Sequence, residues 1–295
     1  MGKLWSEKKE LQFFKRALKV GVPVEKLFYL TDDGKYYAYY PKGYKGKKTT
    51  LQSRNAYVGD YTEKWFRDLI APIAEEMGYY AVLGVVSEEL ELTQKSPADV
   101  AICRTPDRFQ KAEDIVMIFE VKMSIVWNWE YKDGEITNRG DFTTHSGTPS
   151  LLRSDSMLKA IGKAVNIRAS SMKASKIPII IVGNTPITKH YYKKVDNLKR
   201  IGIIQGFWSL NPRPTEDNSL NIKKTPHEGF YRFDSYKELA DKLSSLLKED
   251  LQFFGGMLSK EKLGKLIELA DKEKTYEEKA QRFLELLWGE RIDKS

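Results

Sequence analysis

A single cysteine in 295 residues excludes a disulfide framework and any cysteine-based zinc site. That residue, Cys103, sits in an apolar run and is expected in the core. No stretch approaches the roughly 20 apolar residues of a membrane span. The N-terminal residues Lys3, Glu7, Lys8, Lys9 and Glu10 leave no apolar signal-peptide core. A cytoplasmic protein with no membrane partner is therefore expected. Internal repeats, a Walker loop, a dinucleotide fingerprint and a zinc finger are also missing from the sequence. What is abundant is charge: 31% of residues are charged against 41% hydrophobic, the balance of a folded chain and not of a disordered one. A net charge of +8, with pI near 9.1, suits a polyanionic partner.

Two β-branched runs organise the rest. The first is Ser96-Pro97-Ala98-Asp99-Val100-Ala101-Ile102 and the second Ile115-Val116-Met117-Ile118-Phe119-Glu120-Val121-Lys122. Both read as buried strands, yet they carry charges that a strand core disfavours unless these are paired or hold a metal. Side chains alternate along a strand, so Glu120 and Lys122 share a face. If the runs pair as a hairpin about the polar segment 104–114, Asp99 falls opposite Glu120. Two carboxylates and an ammonium then meet, and hard oxygen ligands of this kind suit magnesium. A sheet-edge salt bridge is the plainer alternative. Other acidic-x-Lys triplets occur, for example Glu130-Tyr131-Lys132, but none ends a long β-like run with an aspartate hairpin upstream.

Pro97-x-Asp99 followed by Glu120-Val121-Lys122 resembles the signature of the PD-(D/E)XK nuclease superfamily, which includes type II restriction endonucleases, junction resolvases and repair nucleases. Ala98, between the proline and the aspartate, is a departure that the loose pattern tolerates. The resemblance implies an α/β fold, a restriction-endonuclease-like mixed β-sheet core flanked by helices. It implies a Mg²⁺-dependent endonuclease (Mn²⁺ substituting) that leaves 5′-phosphate and 3′-hydroxyl ends. Asp99 and Glu120 would hold the metal with the Val121 carbonyl, and Lys122 would position or help deprotonate the attacking water. A helix ahead of the motif often adds an acidic ligand in this superfamily. Glu63 matches by position.

Residues 60–77 read as that helix, with Phe66, Leu69, Ile70, Ile73 and Met77 on one stripe and Pro72 interrupting it. Ahead of it, residues 1–55 form a helical and β extension: a helix over 6–19, an aromatic run at 35–41, and a basic loop at 42–50. Lys45, Lys47 and Lys48 of that loop are candidates for following a phosphate backbone. The nuclease core is expected over 56–210. Within it, the polar segment 124–156 reads as a DNA-recognition or clamping insertion, or as a flap without base contacts. Arg139, Thr143, Thr144, His145 and Arg153 are its candidate DNA contacts; a general-base role for His145 is not favoured. A helix from Ser154 to Met172, a strand at 177–183, a basic helix with Lys189 and Lys193, and a last strand at 203–210 complete the core. A long loop then leads to a helical C-terminal region, 230–295, with Phe283, Leu286, Leu287 and Trp288 in its final helix. The material around the core favours a type II restriction endonuclease among the superfamily's members. Double-stranded DNA, a homodimer and a cognate methyltransferase are its expected partners. A repair or structure-specific nuclease, and a non-catalytic nucleic-acid-binding protein, are the alternatives.

Overall fold

The computed structural model describes residues 4–217, 221–253 and 258–292, with the side chains of Trp288, Glu290, Arg291 and Ile292 outside that description. The chain divides into two units, residues 1–251 and 252–295.

The first unit begins with α1 (Glu7–Lys19), the short α2 (Val24–Leu27), and the two-residue strands β1 (Tyr29–Leu30) and β2 (Tyr36–Tyr37). The long helix α3 (Gln52–Glu76) follows, starting eight residues before Asp60. Its stripe of Val58, Phe66, Leu69, Ile70 and Ile73 is buried, while Pro72 lies on the exposed side. Then come β3 (Tyr80–Val85), β4 (Ala98–Cys103) and β5 (Ile115–Val121), the β6–β7 hairpin (Trp129–Lys132, Glu135–Asn138) and α4 (Ser154–Ser170). The unit ends with β8 (Ile179–Gly183), α5 (Tyr192–Arg200), β9 (Gly206–Ser209), β10 (Phe230–Arg232) and α6 (Tyr236–Lys248).

Six strands form one mixed sheet in the order β10-β9-β8-β5-β4-β3. The β3–β4 and β4–β5 pairs are antiparallel, and β5, β8, β9 and β10 run parallel. Alternation along β5 sends Met117, Phe119 and Val121 into a core shared with α1, α3 and α6, which holds Phe14, Phe66, Ile70 and Leu239. Ile118 enters the opposite core, with Met157, Ala160 and Ala164 of α4 and Val195 of α5. The architecture is therefore α/β, a mixed sheet covered on both faces. A second, antiparallel sheet has the order β1-β2-β6-β7.

Three boundaries differ from the sequence reading. Residues 1–55 are not an appendage, because Trp5, Phe13, Phe14 and Leu27 are buried in the same core as the main sheet. The segment 124–156 is neither a flap nor too polar for the core. Ile125, Val126, Trp127 and Trp129 are buried, and β6 pairs with β2, ninety-odd residues earlier in the chain. The region 230–295 is not wholly helical, because β10 extends the main sheet and α6 belongs to the first unit. The second unit contains α7 (Lys260–Ala270) and α8 (Tyr276–Ile292), with Leu266, Ala270, Leu284 and Leu287 buried. Thr275 and Glu278 cap α8 reciprocally: each side chain accepts the other's backbone N–H, at 3.1 and 2.9 Å.

Candidate active site

The β4–β5 ladder pairs Val100 with Phe119 and Ala101 with Ile118, a register that carries Asp99 to the position opposite Glu120. Asp99 Oδ2 accepts the Val121 N–H at 2.7 Å, which fixes the carboxylate across the hairpin. Lys122 Nζ lies 2.5 Å from Glu120 Oε1 and 3.5 Å from Asp99 Oδ2. The three motif side chains therefore meet on one face at the end of β5. Burial alone would push the Lys122 ammonium down, but the charges of Glu120 and Asp99 and their hydrogen bonds hold it above its ordinary value. So held, Lys122 is a donor to both carboxylates and a source of positive charge.

A second ammonium completes the group. Lys163 Nζ, from the middle of α4, lies 2.6 Å from Glu120 Oε2 and 3.4 Å from Asp99 Oδ1, and donates to the Pro97 carbonyl at 2.6 Å. Lys163 has no role in the sequence reading. Its spacing from Ala160 and Ala164 carries no chemical signal, and it meets Asp99 only because α4 packs on that face of the sheet. Although close to Lys163, buried Glu120 Oε2 receives no hydrogen bond of proper direction.

Glu63 lines the same cleft of about 860 Å³ as Val121 and Lys122. Burial, then the charges of Asp99 and Asp60, push its carboxyl up to about 7. A half-buried acid raised partly by like charges is one whose ionisation its acidic neighbours oppose. Among the described residues, no group of three or more His, Cys, Asp or Glu side chains is gathered closely enough to enclose a metal. Two carboxylates with an adjacent carbonyl nevertheless suit magnesium, which keeps several waters and takes one or two protein carboxylates. The poorly satisfied Glu120 Oε2 and the raised Glu63 both fit a cation at this position.

Two further residues, missed in the sequence, hold the end of β5. Ser150, at φ 48°, donates from Oγ to the Lys122 carbonyl at 2.6 Å and accepts the Asn184 N–H at 3.1 Å. The Asn184 side chain in turn brackets the backbone of Ser124, accepting its N–H at 3.1 Å and donating to its carbonyl at 2.7 Å. A left-handed non-glycine residue is strained, and here its hydroxyl ties the Lys122 carbonyl to the Asn184 N–H just beyond β8.

The expected DNA contacts divide. Lys45, Lys47, Lys48, Lys189 and Lys193 are exposed, and exposed Arg153 lines the cleft beside Lys122. Arg139 is paired with buried Glu130. Half-buried Thr143 donates its N–H to Asp141 Oδ1 at 2.7 Å, and Thr144 donates from its hydroxyl to the Asp141 carbonyl at 2.7 Å. His145 is a correction: at 2% exposure it cannot reach a phosphate. Its ring stacks on Tyr39 with centroids 4.0 Å apart, and its Nδ1 accepts the Gly147 N–H at 3.0 Å. The proton is therefore on Nε2, which donates to the Val126 carbonyl at 3.1 Å.

Burial pushes His145 down to about 4, and a proton on Nδ1 would also face the Gly147 N–H. Below its ordinary value of 6.5 the unfolded chain takes up a proton that the folded chain refuses. The stability that neutral His145 confers is thus complete above pH 6.5 and is lost as pH falls toward 4, a total of about 3 kcal/mol. Urea unfolding at pH 7 and pH 4.5 is expected to show a smaller drop for His145→Gln than for wild type. Equal drops would remove His145 as the cause.

No described helix is long and apolar enough to cross a membrane. Comparison with family models, with curated proteins and with solved structures returned no match.

Proposed function

We propose that this chain is a metal-dependent endodeoxyribonuclease of the PD-(D/E)XK type, with a restriction-endonuclease-like core. The observation that carries the reading is the meeting of Asp99, Glu120 and Lys122 at the end of the β4–β5 hairpin, with Lys122 and Val121 lining a cleft of about 860 Å³.

Asp99, Glu120 and the Val121 carbonyl would hold Mg²⁺ or Mn²⁺, with Glu63, which lines the same cleft as Val121, as a further acidic group. The metal supplies Lewis-acid stabilisation of the phosphoryl oxygens and a more acidic water. Lys122 would orient the incoming water or help deprotonate it, and would offset charge developing on the phosphate. The water gives up a proton to solvent as its oxygen bonds to phosphorus, the bond from phosphorus to O3′ breaks, and the leaving O3′ takes up a proton from solvent. The products are a 5′-phosphate and a 3′-hydroxyl. Exposed Lys45, Lys47, Lys48, Arg153, Lys189 and Lys193 supply candidate contacts to the backbone.

Within that class we favour a type II restriction endonuclease, acting as a homodimer on a two-fold-symmetric site that a cognate methyltransferase would protect. The folding of 124–156 into a second sheet leaves less free loop for base reading and favours, as a second reading, a repair or structure-specific nuclease. Unmethylated plasmid and phage DNA incubated with Mg²⁺ separates the two. Discrete bands establish site-specific cleavage, and a smear or selective cutting of branched DNA favours the second reading. Intact DNA with every substrate, with and without metal, would rule out both in favour of a binding protein.

A further inference from the structure

Two ammonium groups divide the four oxygens of the paired carboxylates between them. Lys122 takes Glu120 Oε1 and Asp99 Oδ2, at 2.5 and 3.5 Å, and Lys163 takes Glu120 Oε2 and Asp99 Oδ1, at 2.6 and 3.4 Å. The local formal charge is therefore balanced without any metal. The lysine of the motif would by itself leave one negative charge uncovered; the lysine from α4 removes it. Lys163 is well held for this task. Its side chain is 19% exposed, it belongs to the helix whose Ala160 and Ala164 are in the core, and Pro97 O gives it a third acceptor on the motif itself.

Burying a carboxylate without a counter-charge is costly, so a site poised for a divalent ion is unstable when empty unless something covers its oxygens. We infer that Lys163 is a placeholder cation: it covers Glu120 Oε2 and Asp99 Oδ1 in the metal-free chain, gives them up to a divalent ion, and thereby sets the metal affinity. This rests on the nuclease reading only in taking Asp99 and Glu120 as metal-binding groups. Lys122 is less suited to yield. It sits two residues from Glu120, and its backbone N–H is bonded to the Val182 carbonyl at 2.6 Å and its carbonyl to Ser150. Lys163 reaches the site from a different element and keeps the Pro97 carbonyl as a partner when it withdraws.

The inference predicts opposite effects for two substitutions of one residue. Lys163→Met removes the competitor, so the full chain should bind Mn²⁺ at least tenfold more tightly in calorimetry, with no nucleic acid present. Its melting temperature should fall without metal and recover with it. Lys163→Arg keeps the charge and adds a fork that matches carboxylates, so it should bind Mn²⁺ more weakly than wild type. Lys159→Met, which removes an exposed charge from the same helix, controls for net charge and should leave the affinity unchanged. Glu120→Gln tests the metal site itself and should abolish binding. If Glu120→Gln abolishes binding but Lys163→Met binds no tighter than wild type, the placeholder role is overturned and the metal reading survives. Should Lys163→Met fail to fold, an affinity of Lys163→Arg equal to or above wild type overturns it as well. Wild type that binds no Mn²⁺, or binding indifferent to Glu120→Gln, overturns both.

Discussion

Lys122→Ala is expected to lower metal-dependent DNA cleavage on the order of 10³-fold while changing DNA affinity by no more than a few-fold. The rate effect follows from geometry. Lys122 touches both motif carboxylates and lines the cleft at the end of β5, so it places a positive charge where the motif carboxylates and a phosphate in the cleft would meet. The small affinity effect follows because backbone binding is shared among many cations, each contributing a fraction. Initial rates at saturating DNA, with a filter-binding isotherm for the same preparation, measure both quantities. A protein that cuts at the wild-type rate removes Lys122 from the mechanism. If affinity collapses along with rate, Lys122 is a binding group and the chemistry must be sought elsewhere in the cleft.

The largest expected loss of stability lies away from that group. Glu10, fully buried on α1, accepts four N–H bonds: from Val126 N and Trp5 Nε1 to Oε2, at 2.9 and 3.3 Å, and from Trp127 N and Trp129 Nε1 to Oε1, both at 2.9 Å. Burial pushes its carboxyl up to about 8, while each donor pulls the other way. The donors carry the decision on charge state, because both oxygens receive N–H groups and a carboxylic O–H would point at one of them. Glu10→Ala leaves four buried donors without an acceptor and opens a cavity, a cost of at least about 3 kcal/mol. That is a large fraction of the roughly 5–15 kcal/mol that holds a domain together. Glu10→Gln should lose nearly as much, since its amide NH₂ would face two of the donors. Chemical denaturation reads both. A Glu10→Gln protein as stable as wild type would falsify the assignment of an ionised carboxylate here.

The consequence of Glu10 reaches the candidate active site. Its four donors include the backbone of the segment that leaves β5 immediately after Lys122, so α1 fixes where the chain goes once it has delivered the motif. Ser150 and Asn184 do the same from the other side. The motif thus lies between two sets of remote anchors.

Local pattern was sufficient for some of this. The β-branched runs with their inserted charges specify β4 and β5, and a period of two is enough to put Glu120 and Lys122 on one face. The hairpin pairing placed Asp99 correctly because few registers keep both strands' apolar residues buried. The stripe in α3 was legible for the same reason, with apolar residues three and four apart. Its start was not, since the eight residues before Asp60 have no such stripe.

What the sequence by itself determined about this protein is the set of elements whose burial pattern repeats at short range, and with them Asp99, Glu120 and Lys122. Tertiary structure alone decided the rest: Lys163 beside Asp99, 64 residues apart; Glu10 beneath Val126 and Trp127, more than 110 residues apart; and His145 buried against Tyr39. Residues 124–156 looked like a loop because Asn128, Glu130, Asp141 and His145 are polar. Asn128, Asp141 and His145 are buried against partners that packing brings to them, the Tyr39 N–H, the Glu216 N–H and the Tyr39 ring, while Glu130 is met by Arg139 from across its own hairpin. A polar residue is written into the core by the partner that satisfies it, and when that partner is distant in the chain no local pattern announces it.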